Sequence, residues 1–506
     1  MTKNRRIHRE HLVGKRREIL MENVMENPSE KKSVKSYSKY GIQYGVLLGV
    51  MAFGMVNTVQ ATYWQYFMTN VALISTATVA TVMLVGTIFD VIAVPLSGIM
   101  MEKIRLPWGK YASWLIVGPI ILVVMFIFMF INYPFGEAVA AVLLTIAYCL
   151  ACLGINTMVT AQNIAINLGS SNPKERAVLA TKKGQGTALA GLIFGVIGLP
   201  IILFFNGDLG QDGSVGYIVL VIVLGVILFA ACGFLFVNLR KKLAYDASVG
   251  IDKEAELSEA EAKKLADKKA AQKPSFWVMV KMVFTNGPFL SIVIGDGLRY
   301  IGRATMMGLL VYYFKYFIGD PSGTAMFLGM SGAVALGGAI LTEILAHKFS
   351  KRFLYLVGFG LMLVCYVIMY FLGTSTMSFT VIGAIWYLGL ALVNSTQVGL
   401  YSDAVDYGVY KEKKDCRAWL MAIAGFPPKM GNLGRAFIVG WGLVVIGFSA
   451  TADITPQIIE GFRFLMCFLP AIIFLVGFIL LIFGYRLNDT KMKEVQAGLE
   501  EMGLSR

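Results

Sequence analysis

A small set of ionisable residues sits inside long apolar runs, where a charge is costly. Asp90 stands alone in TIFDVIAVP. Asp296, Arg299 and Arg303 share the stretch VIGDGLRYIGRATMMG, and Lys429 and Arg435 share GFPPKMGNLGRAF. Glu343, Asp403 and Asp406 lie near the ends of other apolar runs. A buried ion costs several kcal/mol unless it is paired or hydrated, so these residues are expected to pair or to handle a charged or polar solute. Asp296 and Arg299 are spaced i,i+3, and Arg299 and Arg303 i,i+4. The three share one helix face, which either pairs locally or lines a cavity. Lys429 falls about 11 residues into its run, roughly 16 Å of helix rise. That is too deep for snorkelling and calls for a partner carboxylate. Pro427 and Pro428 loosen the same helix and free carbonyls toward water or ligand. The 3 histidines, His8, His11 and His347, fall outside the expected bilayer core, so a proton relay would have to use carboxylates.

The elements that must hold these residues are membrane helices. The 506-residue chain is 57% hydrophobic and 15% charged, with a mean hydropathy of +0.68. A soluble domain rarely has this composition. The runs exceed the ~20 residues that cross a bilayer as a helix, and the short alternating segments of a β-barrel are missing. The 53 glycines suit closely packed membrane helices, with Gly41, Gly45 and Gly49 striping the first. The expected class is an all-α polytopic membrane protein with twelve spans. They run roughly over 41–68, 73–101, 112–133, 138–169, 181–206, 215–239, 284–318, 323–347, 353–373, 378–409, 418–449 and 461–485.

Charge sorts the connections into two sets. MEKIRLPWGK, NPKERAVLATKK, the stretch after Arg240, HKFSKR, KEKKDCR and the tail are rich in Lys and Arg. TNVALIS, NYPFGE, NGDLGQDGS, GDPSG, GTSTMS and TADITPQ contain neither. By the positive-inside rule both termini are cytoplasmic, and the net charge of +14 reflects topology rather than nucleic-acid binding. The expected organisation is an N-terminal arm (1–38), a six-helix half (39–240), a cytoplasmic loop (241–276), a second six-helix half (277–486) and a tail (487–506). The loop sequence DKEAELSEAEAKKLADKK reads as a solvated helix and a plain linker. The basic arm has no apolar core and is not a secretory signal. It is either an extension ahead of a true start at Met21 or a basic arm at the inner membrane surface. Cys149 and Cys152 form a CxxC within an apolar helix and are read as packing.

The halves also resemble each other. YWQYFMTN ends the first span of one and YYFKYFIGD the first span of the other; EKIRLPWGK and HKFSKR follow their second spans. Two six-span halves joined by a loop resemble the major facilitator superfamily, in which solute binds near the midplane and access alternates by rocking. Within it, DVIAVPLSGIMMEKIRLPWGKYASW, the SDAVDYGVYKEKKDCR box, Lys429 and the ending YRLNDTKMKEVQAGL are similar to the glycoside–pentoside–hexuronide:cation symporters. The resemblance covers roughly residues 38–500. It implies cation-coupled uptake of a sugar or glycoside, with no other cofactor than the coupling ion, H+ or Na+. It also implies a cation site at Asp90 with Asn156 or Thr157 of span four, with Lys429 as electrostatic partner.

The chain departs from that pattern. Thr87, Ala93 and Val94 stand where the family carries an arginine, an asparagine and a second acid. Na+ needs several oxygen ligands, whereas burial raises a carboxyl's pKa and one such group holds a proton; H+ is therefore the expected ion. Carboxylates that read sugar hydroxyls are absent too. Span one offers Asn57, Thr58, Gln60 and Tyr63, and Val159 occupies the span-four position with Gln162 and Asn163 nearby. Asp296, Arg299, Arg303 and Asn394 complete the expected substrate-facing set. Its arginines favour an anionic cargo such as a glucuronide or another organic anion. Lys182 and Lys183 either add to that charge or serve only topology. Lys110, Asp403, Asp406 and Arg417 form the expected cytoplasmic gating motif. Other readings are a carrier of an amphipathic solute, or a membrane sensor that has lost transport. An enzyme is not expected, since HExxH, a Walker loop and a hydrolase elbow are all missing. The expected unit is a bilayer-embedded monomer acting on a small molecule.

Overall fold

A computed structural model describes residues 38–502 apart from 105, 109–111, 171–172, 208–212, 249–275, 347, 414–416 and 452. The N-terminal arm with Met21, the expected linker helix, Lys110 and His347 lie outside the described residues. Nine helices among those described are long and apolar enough to cross a membrane. They correspond to spans one, two, four, five, six, eight, nine, ten and twelve, from Lys39–Asn70 to Pro456–Gly484. Span three, Trp114–Met129, is apolar but shorter. The two remaining expected spans are helical and carry the charges Asp296, Arg299, Arg303, Lys429 and Arg435. Span seven is Gly287–Tyr312 followed by a π-helical turn, Tyr313–Ile318. Span eleven is broken into Arg417–Ile423 and Pro427–Arg435, then a π-helical segment Ala436–Trp441 and Gly442–Val445.

Local sequence explains many helix starts. Ser38, Ser75, Asn286, Ser350, Ser375, Thr455 and Asn488 each cap a helix, the side-chain oxygen accepting an N–H of its first turn. The break in span eleven falls at Ala424–Phe426, and Pro427 and Pro428, which lack the N–H groups needed to continue the preceding helix, take the first turn of the next one. Lys429 therefore sits in the first turn of a new helix rather than deep in a continuous one.

The two halves meet most closely through small residues and at the end away from the termini. An added Cβ on Gly195 of span five would lie 2.0 Å from the Gly329 nitrogen of span eight, and one on Gly332 2.3 Å from that of Leu192. Farther along, Tyr312 hydroxyl contacts Thr69 Oγ1 at 2.6 Å and donates to the Gln65 carbonyl at 3.0 Å. Lys315 Nζ donates to Tyr66 hydroxyl at 2.7 Å, and Tyr316 hydroxyl to Asn70. These are the two matching segments YWQYFMTN and YYFKYFIGD, bonded to each other across the halves. Tyr312, Tyr316, Phe448 and Phe462 pack above them with ring centroids 5.2–6.0 Å apart. Asn163, Gln185 and Asn394 remain exposed within their spans, and a methyl added at Gly184 meets nothing within 4 Å.

Candidate functional site

Asp90 is 4% exposed in span two. Its Oδ1 accepts from Asn156 Nδ2 at 2.7 Å, and both carboxylate oxygens accept from Lys429 Nζ at 2.8 Å. Lys429 Nζ also donates to Asn156 Oδ1 at 3.0 Å. An ammonium has three N–H groups, and the three oxygens around it complete its bonding. Asn432, one turn beyond Lys429, reaches Asp90 Oδ2 at 3.5 Å. Asn156 is fixed from behind by a 2.7 Å bond to the Cys152 carbonyl. The expected carboxylate partner of Lys429 is thus Asp90, joining span eleven of one half to spans two and four of the other. Thr157 does not join them. It is fully buried with its methyl toward Gly118 of span three, and its hydroxyl has no partner. Among the described residues no three His, Cys, Asp or Glu side chains gather.

Asp296 and Arg299 are both fully buried and face each other at 2.6 Å. Tyr355 and Tyr401 hydroxyls each donate to Asp296 at 3.2 Å, and Gln397 Nε2 donates to it as well. Arg299 reaches Asn394 Oδ1 at 3.2 Å and stacks over Tyr300 at 4.3 Å. Both Asp296 oxygens and the Nε, Nη1 and Nη2 atoms of Arg299 are engaged by partners on spans seven, nine and ten. In this conformation the pair offers no free charge to a solute; only Asn394 is exposed. Arg303, one turn on, is half-buried beside Tyr366 and Tyr387.

The other substrate candidates are scattered. Asn57 is half-buried. Tyr63 is fully buried, its ring packed on Phe194 and Tyr217 inside the first half, so it does not line an inter-half cleft. Gln162 is buried and donates to the Gly49 carbonyl at 3.1 Å. Asn163 is exposed and accepts from Lys183 Nζ at 2.6 Å. Lys182 donates to Gln185 and lies over the Tyr44 ring. Asp403 pairs with Lys351 at 2.8 Å and Asp406 with Arg417 at 2.9 Å, tying span ten to spans nine and eleven within one half.

Sequence reasoning missed Asn432, although its i,i+3 spacing from Lys429 puts both on one face. It also missed Gln397 and Tyr401, which continue the Asn394 face of span ten, and Tyr355, for which span nine gives no local signal.

The protein-family model described as MFS/sugar transport protein matches residues 45–489. The isoprimeverose transporter of Lactiplantibacillus pentosus is 26% identical over 462 residues, covering 89% of this chain and 88% of that protein. The protein described as uncharacterized symporter YjmB of Bacillus subtilis (strain 168) is 25% identical, covering 87% and 90%. Among solved structures, a D-xylose–proton symporter superposes with a TM-score of 0.64 at 13% identity, covering 90% of this chain and 99% of that one; it matches in fold.

Proposed function

The chain belongs to the MFS/sugar transport protein family, and on that premise we propose that it is a cation-coupled symporter of a sugar or glycoside, working by alternating access with a proton as the coupling ion. The relatives named for isoprimeverose transport and for symport support the sugar and coupling parts. The observation that carries the choice of ion is the oxygen cage around Lys429 Nζ, with Asp90 at 2.8 Å and Asn156 at 3.0 Å. The ammonium fills the space beside Asp90 that an alkali cation would need, and few oxygens are left to ligate one. A proton needs only one acceptor atom. A proton taken by Asp90 reduces the tie between spans two and eleven from an ion pair to a neutral hydrogen bond. The halves are then free to rock about their remaining contacts, and proton release restores the pair. The chain is a multi-pass membrane protein, and the Lys/Arg distribution supports cytoplasmic termini in the cytoplasmic membrane. We take the working unit to be the monomer.

Proteoliposomes test this directly. Addition of a transported glycoside should drive proton movement, read by a pH-sensitive dye. Asp90→Asn should abolish both proton movement and concentrative uptake while leaving exchange of internal for external solute. Uptake driven by a Na+ gradient at fixed pH, without proton flux, would refute the assignment of the ion.

A further inference from the structure

Two arginines meet on the outer wall of the second half, where spans nine and twelve end. Span twelve finishes at Gly484, and the last carbonyls of a helix have no partner within it. Arg352, in the first turn of span nine, donates from Nη2 to the Ile482 carbonyl at 3.3 Å. Arg486, just past the end of span twelve, donates from Nε to the Phe483 carbonyl at 2.8 Å. Consecutive carbonyls thus draw both guanidinium groups to one place. Neither arginine forms an ion pair among the described residues. Asp403, an acid that acts on Tyr485 together with Arg352, is held by Lys351 at 2.8 Å.

Capping the helix does not use these groups up. A guanidinium carries five N–H donors, and each of the two gives one to the end of span twelve. Arg352 Nε is buried without an acceptor. The wall around them is apolar. Phe349 and Phe353 stack with ring centroids 5.3 Å apart and stay about half exposed, and Phe483 is 65% exposed. Farther along, spans nine and twelve pack side by side. An added Cβ on Gly360 would lie 3.3 Å from Phe478 Cζ, and one on Gly477 3.2 Å from Phe359 Cζ. Val357, one turn from Gly360, and Ile479, beside Phe478, are exposed. Paired cations and aromatic rings at the end of an apolar seam suit a molecule with a charged head and an apolar tail.

We propose that this is a site for an anionic phospholipid of the leaflet that meets the C-terminal tail. Its phosphate is received between Arg352 and Arg486, and an acyl chain lies along the seam of spans nine and twelve. The planar guanidinium fork matches phosphate oxygens, and the first turn of span nine adds the positive end of a helix dipole. The occupant is a lipid rather than a soluble anion because the cations sit beside the exposed rings of Phe353 and Phe483, which an apolar tail covers. A net-negative lipid is preferred to a zwitterionic one because two uncompensated positive charges face it. The inference needs only that the chain spans a membrane, and it is independent of the solute and of the coupling ion.

The test is native mass spectrometry of the full chain in detergent, titrated with phosphatidylglycerol and with phosphatidylcholine of the same acyl chains. Phosphatidylglycerol should be retained about tenfold more strongly. Arg352→Gln and Arg486→Gln should each weaken its binding about fivefold, the effect of one cation near an anionic headgroup, and leave phosphatidylcholine unchanged. Arg352→Lys and Arg486→Lys, which keep charge but lose the fork, should fall between, and they carry the test where a Gln variant does not fold. Lys103→Gln, which removes an exposed cation from the last turn of span two, should bind as wild type does. Equal retention of the two lipids, binding indifferent to all four arginine substitutions, or an equal loss in Lys103→Gln overturns the proposal. Displacement of the lipid by millimolar inorganic phosphate would assign the arginines to a soluble anion and overturn it as well.

Discussion

Lys429 Nζ of span eleven lies 2.8 Å from both carboxylate oxygens of Asp90 in span two, across 339 positions of sequence. With the bonds from Tyr312, Lys315 and Tyr316 to span one, it ties the two halves together at two levels. The consequences can be measured.

Lys429→Ala leaves the Asp90 carboxylate buried without its counter-charge. The loss should be about 3 kcal/mol, the low end for a buried pair, because the lysine side chain keeps 19% of its surface exposed. Thermal unfolding in detergent should show a lowered midpoint. The double variant Asp90→Asn/Lys429→Ala should recover most of it, while concentrative uptake stays lost. A double variant no more stable than Lys429→Ala would mean the pair is not the source of the loss.

Asp296→Asn removes the charge that answers a fully buried Arg299. The expected loss is larger, about 3–5 kcal/mol. Because the pair is saturated by Tyr355, Tyr401 and Gln397, its main effect should be on folded yield. Exchange rate per folded molecule should stay within a few-fold of wild type. A well-folded variant that no longer exchanges solute would instead give the pair a direct part in transport.

Tyr312→Phe deletes the hydroxyl that contacts Thr69 and donates to the Gln65 carbonyl. Each such bond is worth about 0.5–1.5 kcal/mol net. The far-end closure should weaken, and spin labels placed there on spans one and seven should gain a longer-distance population in pulsed electron resonance. An unchanged distance distribution would mean that the aromatic packing holds this end shut without the hydroxyl.

Gly195→Ala places a methyl against the Gly329 backbone, which cannot turn aside as a side chain would. Spans five and eight should be forced apart at a cost of about 1–3 kcal/mol, seen as a lowered unfolding midpoint. Gly184→Ala, on the same span but facing open space, should behave as wild type. Equal effects at the two positions would show that helix propensity rather than the close crossing governs span five.

Much of the fold was legible along the chain. Apolar run lengths located the spans to within several residues, whereas the helix caps at Ser75, Ser350 and Ser375 were found only in the structure. The pair Pro427–Pro428 announced trouble in span eleven, although a full break was not foreseen. The π-helical turns at Tyr313–Ile318, Ala436–Trp441 and Phe464–Phe468 left no local signal. They arise where packing between spans, not propensity, sets the helix register.

The sequence by itself determined what depends on local hydropathy and local charge: which segments suit a bilayer, which loops carry the Lys and Arg, and which ions fall within apolar runs. These follow from the thickness of the membrane and the cost of a buried charge, and need no knowledge of neighbours. Which acid answers which base was decided only by the tertiary structure. Asp296 took the arginine three residues away, Asp90 took a lysine from the other half, and Arg303 and Arg435 were left without a carboxylate among the described residues. Pairing is a matter of distance in space, and the helix packing that brings span two against span eleven, or Ala61 against Arg435, is written across hundreds of residues rather than in any one stretch.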